Sequence, residues 1–293
     1  KHMCTTSSFF VLSSALQLMA RCQLATKREF DIDGPGAFAR EKPLMEQFVR
    51  TILYFLNLNQ SEKLLIALNS YMRWFFVTYA DILFHSTSDY GIMFCESLMA
   101  LCNSTVETIR EQAAASMYIL IRCSTTVNKG LTKPYILTTV ALSRTLQRTT
   151  PEDDHLVRSL KAFSDFAKAD PDNPRNHKDT LCTSSFNDLE SHPLSELMRT
   201  MEDRLNQIDC ARMDMFTTNI EQLSEQLHKL MDDTISVNRT VLGKDVQKAE
   251  DLLFRISAFY ERIPELRFLW LKKLAKFHKQ QGHFDEAVQC YYR

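Results

Sequence analysis

Apolar positions along this chain recur every three or four residues. Phe9, Leu12, Leu16 and Met19 follow that spacing, as do Leu44, Phe48, Ile52 and Phe55. One face of a helix needs such a period, whereas a half-buried strand needs strict alternation, and no convincing strand alternation occurs. Between these stripes, Phe30–Pro43 carries Asp-Gly-Pro-Gly (Asp33–Gly36) and is predicted as a loop. Ser61 can cap a long apolar helix running to about Phe84; Ser86–Asp89 then breaks it, and another helix follows to Leu101.

Two start signals are sharper. Ser104-Thr105-Val106-Glu107 has the form of a capping box, the hydroxyl accepting from a first-turn N–H while Glu107 reaches back. Thr150-Pro151-Glu152-Asp153 places a cap, a proline at the first helical position and acids at the positive helix end. They predict helices over Ser104–Cys123 and Thr150–Ala169. Pro134 marks the start of a helix reaching about Gln147.

Asp170–Ser195 differs in character, with Pro171, Pro174 and Pro193 among polar residues, and is predicted as a linker or insertion. Beyond it, Leu194, Leu197, Met201, Leu205 and Ile208 form one stripe, and Phe216, Ile220, Leu223, Leu227 and Leu230 another. The phase slips at Asp209–Asp214, which fits two helices or one with a stutter. The second stripe is read as a buried face in a helical array, with a coiled-coil dimer as the alternative. After a break at Leu242-Gly243, helices are predicted over Val246–Arg262, Pro264–Gln281 and Phe284–Arg293.

Many helices of similar length joined by short turns predict an all-α fold of stacked helical hairpins, armadillo- or HEAT-like. Such hairpins bury their apolar faces only against neighbours. No strict sequence period accompanies them, and a globular all-α domain is the alternative.

Composition agrees with this. Only 6 of the 293 residues are glycine and 8 are proline, few for a chain of β-turns, while 45% are apolar. A net charge of −1 offers no basic excess for nucleic acid. No stretch reaches the roughly 20 apolar residues of a membrane span. Phe9–Ala20 imitates a signal peptide only loosely, because Ser13, Ser14 and Gln17 interrupt it and Arg21 follows directly. The eight cysteines (Cys4, Cys22, Cys95, Cys102, Cys123, Cys182, Cys210, Cys290) form no CxxC pair and read as reduced thiols of a cytoplasmic protein.

Candidate chemistry is sparse. Neither a phosphate-cradling glycine loop nor a G-x-S-x-G or H-E-x-x-H motif occurs. His278, His283 and Cys290 resemble metal ligands only in type, since His283 follows Gly282 in a turn that fixes no geometry. Asp153–Asp154 and Asp232–Asp233 read as helix-end or solvated charges. Trp74-Phe75-Phe76 and Phe268-Leu269-Trp270 read as core. The sequence therefore assigns no catalytic, cofactor-binding or metal-binding residue, and no cofactor.

At the C-terminal end, Leu274-Ala275, His278, Gly282, Phe284, Ala287 and Tyr291 have the spacing of a tetratricopeptide-type hairpin. Ala275 and Ala287 would let two helices approach, Gly282 would turn the chain, and Phe284 and Tyr291 would fill the gap. On this reading the hairpin continues into further chain beyond Arg293.

Two segments carry a resemblance. Thr108-Ile-Arg-Glu-Gln-Ala-Ala-Ala-Ser-Met-Tyr-Ile-Leu-Ile-Arg122 resembles a helix in the middle region of the DOCK (dedicator of cytokinesis) proteins. Pro264-Glu-Leu-Arg-Phe-Leu-Trp-Leu-Lys-Lys-Leu-Ala-Lys-Phe-His278, followed by Gly282 and Glu286-Ala-Val-Gln-Cys290, looks like the opening of their second homology region. The likeness spans roughly Cys95–Arg293 and leans to the zizimin-like branches. Val288 replaces the family's usual alanine.

The resemblance implies a scaffold segment of a guanine nucleotide exchange factor for Rho-family GTPases such as Rac or Cdc42. The GTPase would be engaged by parts of the protein outside this chain, and the parent would be recruited peripherally to membranes. It divides the chain into an armadillo- or HEAT-like array (1–169), the linker (170–195), a continuation (196–240) and the first helices of the exchange region's first lobe (241–293). No catalytic residue carries over. A free-standing helical-repeat adaptor is the alternative, and self-association is open in both.

Overall fold

The computed structural model describes residues 37–292 apart from 59, 86–89, 149–153, 170–209 and 244. The predicted stripes at Phe9–Met19 and Leu194–Ile208, the cap at Thr150, the Ser86–Asp89 break and the 170–195 linker lie outside them. The described residues form helices and no strand, in the order α1 (Ala37–Asn57), α2 (Glu62–Thr78), α3 (Ala80–His85), α4 (Tyr90–Cys102), α5 (Glu107–Asn128), α6 (Thr132–Arg148), α7 (His155–Ala169), α8 (Cys210–Gly243), α9 (Val246–Phe259), α10 (Pro264–Gln281) and α11 (Phe284–Tyr292). This is the all-α array that the periodicity predicts.

α1 begins at Ala37, inside the segment predicted as a loop, and runs through Pro43. Proline has no N–H to give, so the Ala39 carbonyl one turn back loses its intrahelical donor there. Phe48, Val49, Ile52, Leu53 and Leu56 are buried at helical spacing. Their partners are aromatic: the Phe48 ring lies 5.0 Å from Phe75, and Phe94 of α4 sits 5.1 Å from Phe76 and 5.9 Å from Phe75.

The helix after Ser61 does not reach Phe84 in one piece. It stops at Tyr79, whose backbone leaves helical geometry at φ −113°, ψ 25°, and restarts as α3. Amide bonds from Tyr79 to Phe75 and from Leu83 to Tyr79 bridge the corner. The buried Tyr79 ring packs edge-on against Trp74 at 6.0 Å. That side-chain packing accompanies a corner which the apolar pattern alone does not mark.

α5 is the axle of the array and contacts α2, α3, α4, α6 and α7. Its run Ala113-Ala114-Ala115 is buried, and these small side chains let neighbouring backbones come close. Arg73 of α2, 1% exposed, pins that contact by donating to the Gln112 side-chain oxygen (2.8 Å) and carbonyl (3.3 Å) and to Ser116 Oγ (3.2 Å).

The capping box does not form. Helix α5 starts at Glu107 behind Val106, and Ser104 Oγ accepts from the Val106 N–H instead, at 3.3 Å. Arg110 then draws the entry loop in, donating to the carbonyls of Ser104 and Thr105 at 2.9 Å each. At its other end α5 outlasts the predicted Cys123 and closes on Lys129, a non-glycine residue at φ 53°.

α6 covers Pro134 near its start, as predicted, and lies on α4. Gly91 of α4 faces this contact: a Cβ there would touch Phe84 at 3.4 Å and Leu137 at 3.5 Å, in ordinary van der Waals contact. α7 starts later than Thr150, with the Asp154 carbonyl accepting from the Arg158 N–H. Ser159 Oγ donates to the Cys102 carbonyl, and Ser224 Oγ of α8 donates to the Leu160 carbonyl, at 2.8 and 2.7 Å. Such bonds satisfy carbonyls and set helix register together.

The second apolar stripe lies on one continuous helix, α8. Ile220, Leu223, Leu227 and Leu230 are buried against α6, α7 and α9, which leaves them unavailable for a coiled-coil seam. Asp245 caps α9 by accepting from the Lys248 N–H. α10 opens on Pro264 and ends on Gly282 at φ 84°, with the Gly282 N–H on Lys279 O and the His283 N–H on His278 O. That pairing is a Schellman motif, which favours glycine at the left-handed position.

A joint between the array and the last three helices

α9, α10 and α11 follow one another by successive pairwise contacts, and they join the array where α9 packs on α8 and where Phe259 meets Tyr135 of α6. At that junction lies a cleft of about 460 Å³, lined by Tyr135 of α6, Gln226, Lys229, Leu230 and Asp233 of α8, and Arg255, Ala258, Phe259, Glu261 and Arg262 on and after α9. The cleft is shallow, and its walls are held together by two kinds of contact.

The first is electrostatic. Asp233, 8% exposed, takes both arms of the Arg255 guanidinium: Nε donates to Oδ2 at 2.6 Å, and Nη2 donates to Oδ1. The bidentate geometry fixes α8 against α9 in angle as well as distance. The Asp233 hydrogen bonds hold the Arg255 proton more firmly than usual. Asp233 therefore departs from the solvated charge predicted for it, because Arg255 crosses over from the next helix. Asp232 stays on the surface, with His228 3.3 Å away.

The second is aromatic. Tyr135 donates its hydroxyl to the Phe259 carbonyl at 3.3 Å, and the two rings lie 5.8 Å apart. The Arg262 guanidinium also lies over the Tyr135 ring, 5.8 Å from its centroid. Burial raises the Tyr135 phenol, so it keeps the proton it donates. Below this layer, Tyr260 stacks on Trp270 at 6.4 Å and 11°, and burial pushes the Tyr260 phenol up to about 12. Lys273 Nζ sits 3.9 Å over the Trp270 ring. Tyr135, Asp233, Arg255 and Arg262 carry no signal of this joint in the sequence, since partners 22 or more residues apart leave no spacing pattern.

The predicted terminal hairpin forms in part. Ala275 and Ala287 are buried between α10 and α11, as expected, but Phe284 and Tyr291 are 62% and 59% exposed. Cys290 fills the contact in their place, because Ala287 and Cys290 share the face turned to α10. Likewise Trp270 is core at 3%, whereas its neighbours Phe268 and Leu269 point outward at 57% and 37%. A helix shows only one face to its neighbour, so an apolar triplet cannot be buried whole. Trp74-Phe75-Phe76 escapes this limit because α2 is covered on several sides.

His278 is buried with Nε2 3.8 Å from Glu250 Oε1, and its ring is 6.3 Å from that of His283. Among the described residues no group of three or more His, Cys, Asp or Glu side chains could hold a metal. Cys95, Cys102, Cys123 and Cys290 are buried and in the thiol form; burial pushes Cys102 and Cys123 up to about 12 and Cys95 well above the ordinary range. Protonated thiols of that kind are poor nucleophiles. No helix among the described residues is long and apolar enough to cross a membrane.

The family described as DHR-2, Lobe A matches residues 251–293, the segment spanning most of α9 and all of α10 and α11. Over a longer span the chain is similar to dedicator of cytokinesis protein 8 of Homo sapiens, 22% identical over 281 residues, which is 96% of this chain and 12% of that protein. It is also similar to dedicator of cytokinesis protein 6 of Mus musculus, at 24% over 86% of this chain and 10% of that protein. With dedicator of cytokinesis protein 7 of Homo sapiens it shares 24% over 83% of this chain and 10% of the relative. The chain thus spans about a tenth of the length of these relatives. No solved structure matches significantly.

Proposed function

We propose that this chain, a segment of a DOCK-family protein that includes the opening of a DHR-2 lobe A, is a non-catalytic frame holding a guanine nucleotide exchange region. The parent protein would act in the cytoplasm on Rho-family GTPases of the Rac or Cdc42 type, through portions outside this chain. Its two motifs lean to the zizimin-like branches. We take residues 1–169 and 196–240 as an armadillo- or HEAT-like array, 170–195 as a linker or insertion, and 241–293 as the start of the lobe.

One observation carries this reading: the lobe-like helices are clamped to the array by Asp233–Arg255 and by Tyr135 with Phe259. A lobe tethered by a flexible linker would need neither contact. Two-point clamping transmits orientation, which a frame must supply to an exchange site further along the chain.

The test uses Rac or Cdc42 loaded with fluorescent GDP. The chain alone should leave nucleotide release at its intrinsic rate, and robust acceleration would overturn the frame. In the full-length parent, Tyr135→Ala combined with Arg255→Ala should slow exchange several-fold while helix content is retained. Unchanged exchange would show that the joint does not serve it.

A further inference from the structure

The chain is nearly neutral overall, yet α10 carries Arg267, Lys272, Lys273, Lys276 and Lys279 against the single acid Glu265. At about 100° per residue its side chains divide into two arcs. Trp270, Leu271, Leu274, Ala275 and His278 make the buried arc. Phe268, Leu269, Lys272, Lys276 and Lys279 make the opposite one, and all five are exposed. Among the described residues no acidic group pairs with Lys272, Lys276 or Lys279. Lys273 is set apart by its place over Trp270.

We propose that this outer arc of α10 is a contact site for an anionic lipid surface. Three lysines supply charge complementarity to acidic headgroups, and their apolar stems can lie along the surface while the ammonium groups stay wet. Phe268 and Leu269, about one turn away, supply the apolar side chains that interfacial helices bury at the headgroup boundary. The shape decides between a membrane and an acidic peptide. Peptides bind in grooves or along sheet edges, whereas this arc is the convex back of a helix, and the cleft lies elsewhere, at the α6–α8–α9 junction. Glu265 on the arc, and Asp285 and Glu286 in the first turn of α11, are the nearby acids in sequence; they limit the attraction and make it sensitive to salt. This inference does not depend on the exchange reading.

Co-sedimentation of the chain with vesicles tests it. Binding is expected to vesicles of phosphatidylcholine with about 30 mol% phosphatidylserine and not to phosphatidylcholine alone, weakening at least tenfold as salt rises from ~0.1 to ~0.5 M. Lys272→Glu with Lys276→Glu should weaken binding by about tenfold or more, and Phe268→Ser several-fold, with the circular dichroism unchanged. Equal binding to neutral vesicles, no binding to acidic ones, or an unaffected Lys272→Glu/Lys276→Glu variant would overturn the assignment. So would binding of poly-glutamate as tight as that of the vesicles with no dependence on Phe268, which would make the partner an acidic protein.

Discussion

Replacing Trp270 by alanine tests both the packing of the last three helices and their attachment to the array. The indole is 3% exposed, stacked on Tyr260 at 6.4 Å and covered by Lys273 at 3.9 Å. A buried aromatic ring removes about 150–250 Å² from water, which at ~25 cal/mol/Å² gives an upper bound of about 4–6 kcal/mol. Truncations of this type cost about 3–5 kcal/mol once partial collapse of the cavity is included. With a urea slope near 3 kcal/mol/M, the midpoint should fall by about 1 M or more. The chain has two tryptophans, so Trp270→Ala leaves Trp74 of α2 as the sole indole reporter. Circular dichroism reads all helices, while Trp74 emission reads the array. If the joint couples the two, both signals should shift together. A loss below about 1 kcal/mol would place the ring at an exposed interface rather than in the core. An early dichroism step with an unmoved Trp74 transition would refute the coupling.

Two helix ends make opposite predictions. Gly282→Ala meets nothing within 4 Å but must hold φ 84°, and should cost about 1 kcal/mol in urea denaturation; Lys129→Gly, at φ 53°, should gain about as much. No loss for the first and no gain for the second would count against the left-handed caps. The buried thiols predict a pH dependence. Cys102 and Cys123 rise from 9.0 to about 12 in the fold, so the folded state holds these protons more tightly than the unfolded chain. Their contribution to stability is complete below about pH 9 and is lost as pH rises toward 12. Urea midpoints should therefore hold up to about pH 9 and fall from there to pH 11, and a flat profile would mean that these thiols are accessible to water.

Local signals in the sequence locate several helix ends correctly. Pro134, Pro264 and Gly282 act through their own backbone restrictions, and each stands at the predicted place in α6, α10 and the turn to α11. The Ile220–Leu230 stripe likewise marks a buried face, because hydrophobic spacing is a property of one helix. Ser104-Thr-Val-Glu107 fails for a reason that the four residues do not contain: Arg110 captures the carbonyls of Ser104 and Thr105, and the helix starts three residues late.

The sequence by itself determined the helical class, most turns and the resemblance to a known family, all of which depend on residues close together along the chain. Tertiary structure decided which residues of an unbroken apolar run became core. Trp270 is buried and Phe268 is not, although both sit in one apolar run, because α10 turns only one face to its neighbours. Tertiary structure also made Asp233 a buried partner of Arg255 and brought Tyr135 to Phe259 across 124 residues. Those pairings follow from the angles at which helices cross, and side-chain packing sets these angles only when all the helices are present together.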